Sequence, residues 1–218
     1  MGMALRLHDY TASANCYKIR LALAQLGIGY ERVPVDIFAG ETLTDAFARM
    51  NAARSTPVLE LEDSSYLPES GAILLYLAEG TPLLPADRVQ RAQAARWLLF
   101  EQADVVPSVG GLRFRLATGR LAPDHERVGR ARAAGHEMLS VLDAHLRGRE
   151  FFVADRYSVA DIAIYGYVHV AHEAGVGMEE HPEVARWLER VAAQPGYMND
   201  LEPYPDNARP GVSRSIYD

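Results

Sequence analysis

The feature that most constrains this chain is a change of pattern at the proline-rich stretch Gly80-Thr-Pro-Leu-Leu-Pro-Ala-Asp87. Before it, short strand-like runs alternate with helical periods. After it no strand pattern returns. A chain of 218 residues divided in that way predicts two small domains with separate cores. The expected boundaries are 1–80 for the first domain, 81–87 for a linker, 88–195 for a helical domain and 196–218 for an extended tail.

Within the first part, residues 4–8 alternate weakly and predict a strand, followed by a polar turn from Asp9 to Asn15. Ile19, Ala22, Leu23 and Leu26 fall at helical spacing, and Gly27 and Gly29 end that helix. The β-branched run 30–36 predicts a second strand, and 44–50 a short helix. A third strand begins at Pro57, the Asp63-Ser64-Ser65 turn leads to a fourth around Tyr66-Leu67, and a helix over 69–79 ends at Gly80. The order βαβ, α, ββα describes a small α/β layer with an antiparallel hairpin at its edge. In the second part the spacing predicts helices near 88–118, 124–147, 158–174 and 181–194, the last carrying Val184, Trp187, Leu188 and Val191 in register. Ser158-Val-Ala-Asp161 has the form of a capping box, with Asp in place of the usual Glu.

Composition narrows the functional classes. Net charge is −7 and no Lys/Arg cluster occurs, which argues against a nucleic-acid partner. No run of 18 apolar residues reads as a membrane span. A single cysteine, Cys16, rules out an internal disulfide and fits a reducing compartment, and Met1 to Leu7 do not read as a signal peptide, so a cytoplasmic location is expected.

Three separated segments then resemble one family, the glutathione transferases. Ser13-Ala-Asn-Cys-Tyr-Lys-Ile-Arg20 resembles the N-terminal motif of its serine- and cysteine-type classes. Asn51-Ala-Ala-Arg-Ser-Thr-Pro-Val-Leu59 is similar to the family's Asn-Pro-x-Gly-x-Val-Pro-x-Leu, without the proline after Asn51 and with Arg54-Ser55 where Gly-Lys or Gly-Gln is common. Leu67-Pro-Glu-Ser-Gly-Ala-Ile-Leu-Leu-Tyr-Leu77 is similar to Glu-Ser-x-Ala-Ile-x-x-Tyr-Leu. The resemblance implies a thioredoxin-like N-terminal domain that holds glutathione, and an all-α C-terminal domain that shapes a pocket for a small hydrophobic electrophile. It also implies a homodimer, with Tyr66 and Leu67 as candidate interface residues. No permanently bound cofactor and no metal are expected, glutathione being a co-substrate.

The chemistry implied is thiol activation. A free thiol has a pKa of about 8.5, and the nucleophile is the thiolate. Ser13 stands just before the first helix, where a hydroxyl donor and the positive helix end coincide. A charge-assisted hydrogen bond of about 1.5–3 kcal/mol is enough to move a pKa by one unit. Asn15 is a second candidate sulfur donor. Cys16, one turn inside the helix, reads as a packed small hydrophobe. The resemblance implies a cis Thr56-Pro57 bond that turns the Thr56 backbone toward the cysteinyl group of glutathione. Glu69 would pair with the γ-glutamyl ammonium, and Ser70, at a helix start, with the carboxylate. Arg54 is the nearest cation for the glycine carboxylate.

Tyr10, Trp97, Glu101, Asp104 and Phe114 are expected around the electrophile, and the tail, with Tyr197, Tyr204 and Tyr217, over it. His169 and His172 stand at i, i+3 without an obvious third ligand and read as structural rather than metal-binding. The same thiolate would also serve a disulfide reductase, a peroxidase or a double-bond isomerase, and the fold admits a non-catalytic glutathione-binding protein.

Overall fold

A computed structural model describes residues 5–218. It consists of two units: one runs to Leu77 and resumes over Met198–Asp218, and the other is Ala78–Tyr197.

The first unit is built on a four-stranded sheet of order β2-β1-β3-β4. β1 (Arg6–Asp9) pairs in parallel with β2 (Glu31–Pro34) across the crossover helix α1 (Ala14–Leu26). β3 (Val58–Glu60) runs antiparallel to β1, with Leu7 opposite Leu59, and β4 (Tyr66–Pro68) closes the edge antiparallel to β3. The strands are shorter than the alternation suggests, and Ala4, where the first one was expected to begin, lies outside the described residues. α2 (Asp45–Met50) is capped by Thr44, whose side chain accepts from the Phe47 amide. α3 (Ser70–Ala78) follows β4 directly. Leu7, Ile19, Leu23, Val58 and Leu59 are fully buried, and Val35, Phe47 and Val58 form a cluster with Ile37 and Met50. α1 stops where Gly27 takes a φ of 65°, a left-handed conformation that glycine adopts without steric cost.

Helical spacing leaves Lys18 and Arg20 off the apolar stripe of α1, yet both are buried. For Arg20 the reason lies 180 residues away. Residues 198–218 contain no α-helix, only one 3₁₀ turn (Asp206–Ala208), and they pack along this unit. The Tyr17 hydroxyl donates to the Met198 carbonyl at 2.8 Å, and the Arg214 amide to the Phe38 carbonyl at 2.8 Å. Tyr204 and Tyr217 set their rings against Phe38.

In the second unit, α4 (Arg88–Phe100) starts at Asp87, whose carboxylate accepts from the Val89 and Gln90 amides. The expected helix 88–118 is not uniform. Its middle, Glu101–Gly110, widens into a π-helix before α5 (Gly111–Ala117) resumes ordinary spacing. Pro107 lies inside that segment; it has no N–H, and its ring collides with the carbonyl four residues earlier in a regular α-helix. The wider spacing relieves that clash. Gly110 lets Tyr167 close in: a Cβ there would lie 2.4 Å from the tyrosine ring. α6 (Glu126–Leu146), α7 (Val159–Val168) and α8 (Pro182–Ala192) complete the unit, and the expected continuation of α7 to 174 is a 3₁₀ turn at Ala171–Ala174. Val184, Trp187 and Val191 of α8 are buried. At the heart of the unit Asp161 accepts from the Ser158 amide (2.9 Å) and hydroxyl (3.0 Å), the Phe152 amide (3.2 Å) and Trp187 Nε1 (3.0 Å).

Candidate functional site

Two helix starts of the first unit meet. α1 begins after Ser13, whose extended backbone and side-chain oxygen cap the helix by accepting from the Cys16 amide at 3.3 Å. α3 begins at Ser70, which is buried and donates its hydroxyl to Asn15 Oδ1 at 3.2 Å. Neither helix carries an acidic residue in its first turn. Neither first turn therefore cancels the partial positive charge of its helix end, and at α3 the nearest carboxylate is that of the exposed Glu69 just before the helix. With its oxygen engaged by Ser70, the Asn15 amide keeps both N–H donors without a partner among the described residues.

The Cys16 thiol lies beneath this junction. The Tyr10 amide donates to its sulfur at 3.4 Å, and the neighbouring side chains of Thr56 and Ser13 favour its ionised form without outweighing burial. Burial, seconded by the charge of Asp9, pushes the thiol up to about 12, so Cys16 stays protonated and inert. Its part is geometric: its sulfur takes the Tyr10 amide and its own amide takes the Ser13 hydroxyl oxygen, a convergence that no sequence spacing announces.

The Thr56-Pro57 bond is cis. Neither the amide nor the carbonyl of Thr56 has a backbone partner among the described residues, which leaves one short edge of chain ready to pair with an extended peptide. Asn51 shapes the turn before it: Nδ2 donates to the Ser55 carbonyl at 2.8 Å and Oδ1 accepts from the Ala53 amide at 3.0 Å. Asn51 was not among the expected site residues, although Asn at a turn is a readable signal.

Glu69 is exposed at a φ of 73°, and Arg54 has a φ of 55°. Left-handed backbone is uncommon outside glycine, and side chains held there concentrate at functional positions. For Arg54 this explains why the motif it resembles carries glycine. Its Nη1 donates to the carbonyls of Thr42 (3.2 Å) and Thr44 (3.1 Å), while Nη2 stands 3.9 Å from Asp45 Oδ1. The guanidinium is thus partly spent on the chain before α2.

The structure therefore gathers Ser13, Asn15, Thr56, Pro57, Glu69 and Ser70 around two helix starts, with Arg54 at their margin. The residues expected around an electrophile divide between the two units. Tyr10 belongs to the first unit, buried against Phe38 (centroids 5.7 Å apart) and Tyr204 (6.5 Å). Trp97 is corrected to a core residue: it is 1% exposed and packs on His145 and Phe152, both at 4.7 Å, because its position on α4 faces the interior of the helical unit. Glu101 is also buried, accepting from Gln102 Nε2 at 2.8 Å. Asp104, with Phe100, Met138 and Val141, lines a cavity of about 470 Å³ in the second unit. Phe114 is half-buried under the Arg120 guanidinium, 5.1 Å from the ring. His169 holds its Nδ1 2.7 Å from the Tyr165 carbonyl. Among the described residues no group of three or more His, Cys, Asp or Glu side chains could hold a metal ion, and no helix is long and apolar enough to cross a membrane.

The family profile described as the glutathione S-transferase N-terminal domain matches residues 12–79, and that of the C-terminal domain matches residues 94–195. This chain belongs to the glutathione S-transferase family. Its thioredoxin-like first unit and helical second unit are those of the family fold. A glutathione S-transferase from Pseudomonas fluorescens superposes with a TM-score of 0.88 at 37% identity, over 92% of this chain and 100% of that one. A glutathione transferase from Pseudomonas putida, solved with one glutathione disulfide bound per subunit, gives 0.79 at 31% identity over 91% of each chain. Among relatives compared by sequence, a maleylacetoacetate isomerase from Pseudomonas aeruginosa is 26% identical over 88% of this chain and 93% of its own.

Proposed function

We propose that the chain is a glutathione transferase that holds glutathione in the first unit, ionises its thiol and adds the thiolate to a small hydrophobic electrophile. One observation carries the reading: two helix starts with no acidic residue in their first turns converge through the Ser70–Asn15 bond, beside Glu69 and the Thr56 backbone, which has no backbone partner among the described residues. A γ-glutamyl peptide fits this set of groups. Its carboxylate takes the start of α3 at Ser70, its ammonium takes Glu69, its cysteinyl backbone takes Thr56, and its glycine carboxylate takes Arg54. The sulfur then sits at the start of α1, where the Ser13 hydroxyl and the Asn15 amide donate to it. Stabilising the anion at a prepared site lowers the thiol pKa and places the nucleophile for attack. The proton leaves to water. No permanently bound cofactor or metal takes part. By family resemblance the protein works as a cytoplasmic homodimer in detoxification.

The disulfide bound by the Pseudomonas putida neighbour supports a second reading on the same site. There the thiolate attacks a disulfide sulfur, the S–S bond breaks as a mixed disulfide forms, and the second sulfur leaves as thiolate. A second glutathione thiolate then releases the product. The name of the Pseudomonas aeruginosa relative adds double-bond isomerisation to the reactions worth assaying.

The test is calorimetric binding of glutathione, paired with the ultraviolet thiolate absorbance of the complex between pH 6 and 8. Binding with the thiol pKa pulled well below about 8.5 is expected. Binding with an unshifted thiol leaves a non-catalytic glutathione-binding protein.

A further inference from the structure

Residues Thr11 and Ala12 form the approach to Ser13, and they are held from both sides. The Thr11 carbonyl accepts from Arg20 Nη2 at 3.2 Å and lies 3.4 Å from the Glu202 amide of the C-terminal segment. Arg20 is itself fixed. Its Nη1 donates to Asp9 Oδ1 at 2.6 Å, its Nε lies 2.9 Å from both carboxylate oxygens of Asp200, and Nη2 also reaches the Asp200 carbonyl at 3.4 Å. The side chains of Arg20 and Asp9 are both fully buried, and Arg32 pairs with the second oxygen of Asp9. Two guanidiniums and two carboxylates thus alternate along one chain of ion pairs, Arg32–Asp9–Arg20–Asp200, and its last member comes from the far end of the sequence. Tyr204 of the same segment stands against Tyr10, whose buried hydroxyl has no hydrogen-bond partner among the described residues.

The geometry points to Asp200 as a positioning residue for the sulfur site, acting through Arg20 on Thr11 and so on the hydroxyl of Ser13. This rests on the reading of the start of α1 as the thiolate site. A buried guanidinium whose donors are divided between Asp9, Asp200 and Thr11 has one orientation in which all are satisfied. Removal of the Asp200 carboxylate frees Nε, and the guanidinium turns toward Asp9 at the expense of Thr11. The carbonyl then loosens and the Ser13 hydroxyl loses its fixed direction, while Thr56, Glu69 and Ser70, which grip the peptide, are untouched. A residue in the last tenth of the chain therefore governs thiol ionisation rather than glutathione affinity.

The experiment compares wild type with Asp200→Ala, Asp200→Asn and Asn207→Ala in the full chain. Circular dichroism confirms folding, calorimetry gives the glutathione Kd, and ultraviolet titration gives the pKa of the bound thiol. Asn207→Ala serves as the control because it removes a contact of the same segment, the donation to Asp36 Oδ2 at 2.8 Å, that involves neither Arg20 nor Thr11. Both Asp200 variants are expected to raise the bound-thiol pKa by about one unit, a tenfold loss of thiolate near neutral pH, with Kd within threefold of wild type. Asn207→Ala is expected to leave the pKa where it was. If Asp200→Ala fails to fold, the isosteric Asp200→Asn decides. An unmoved thiol pKa in folded Asp200→Asn overturns the inference while leaving the thiolate site standing, and so does an equal shift in Asn207→Ala. A wild-type chain that binds no glutathione, or leaves its thiol unshifted, overturns both.

Discussion

Two helices of this protein begin with serine, and they use it in opposite ways. At α7, Ser158 faces Asp161, and the carboxylate gathers the serine amide and hydroxyl, a distant amide and an indole N–H into one buried cluster. At α1, Ser13 faces Cys16, a neutral thiol, and no acidic residue occupies the first turn. A carboxylate supplied by the helix itself satisfies the free amides and cancels the positive end, and such a helix start holds a fold together. Without it the field at the helix start stays available for an anion from outside. The same cap chemistry thus serves architecture in one unit and, on the function proposed here, catalysis in the other.

The comparison breaks most visibly at α7. Asp161→Ala strands four donors in the core, and should cost about 4 kcal/mol of stability in a denaturant titration. A loss under about 1 kcal/mol would mean that water or a neighbour replaces the carboxylate. Next comes pH. Burial pushes His169 down to about 4, with the Tyr165 carbonyl partly opposing. The contribution of this group is complete above its unfolded value of about 6.5 and is lost as pH falls through 4. Burial pushes Asp161 up to about 6 against its four donors, so its contribution runs the other way: it is present below about 4 and lost as pH rises through 6. His169→Gln should therefore remove about 2 kcal/mol of acid destabilisation between pH 6.5 and 4, read from unfolding midpoints across that range. An unaltered slope would place the proton elsewhere.

On the other side of the comparison the effects fall on the ligand. Glu69→Ala should weaken glutathione binding by about tenfold, or 1.4 kcal/mol, in calorimetry, and an unchanged Kd would detach the α3 start from the ammonium. Ser13→Asp is the sharpest test. Aspartate is as good a cap as serine, so thermal stability should hold within about 0.5 kcal/mol. Its charge opposes the thiolate, so the bound-thiol pKa should rise by about one unit and turnover at neutral pH should fall about tenfold. A stable variant with unaltered turnover would reduce Ser13 to a cap like Ser158.

What the sequence displays is what neighbouring residues decide. The alternation around β1, the Gly27 stop, the proline opening β3 and the Ser-x-x-Asp box at α7 each act within a few positions, and the fold follows from them in order. The site is legible to the same depth. Ser13, Thr56-Pro57 and Glu69-Ser70 show themselves as serine before a helix, proline before a strand and acid before a helix. What stays hidden depends on distance along the chain or on backbone shape. Nothing near Arg20 in the sequence announces its burial, because its partner Asp200 lies 180 residues on. Trp97 reads equally as lining or core, since helical period fixes a face but not which neighbour covers it. The positive φ of Glu69 and the widened turn around Pro107 leave no periodic trace. Nor does Cys16, which ties Tyr10 to Ser13 through its sulfur and its amide.

The first unit is assembled from both parts of the chain that flank the helical unit. A ribosome completes Ala78–Tyr197 before it delivers Met198. At about 5–20 residues per second, the 180 residues between Arg20 and its partner Asp200 separate their making by roughly 9–36 seconds. During that interval the continuous helical unit has every residue it needs, while the sheet unit has a buried cation waiting for its counter-ion. The usual order of birth is thereby inverted: the unit made first is the last to be finished.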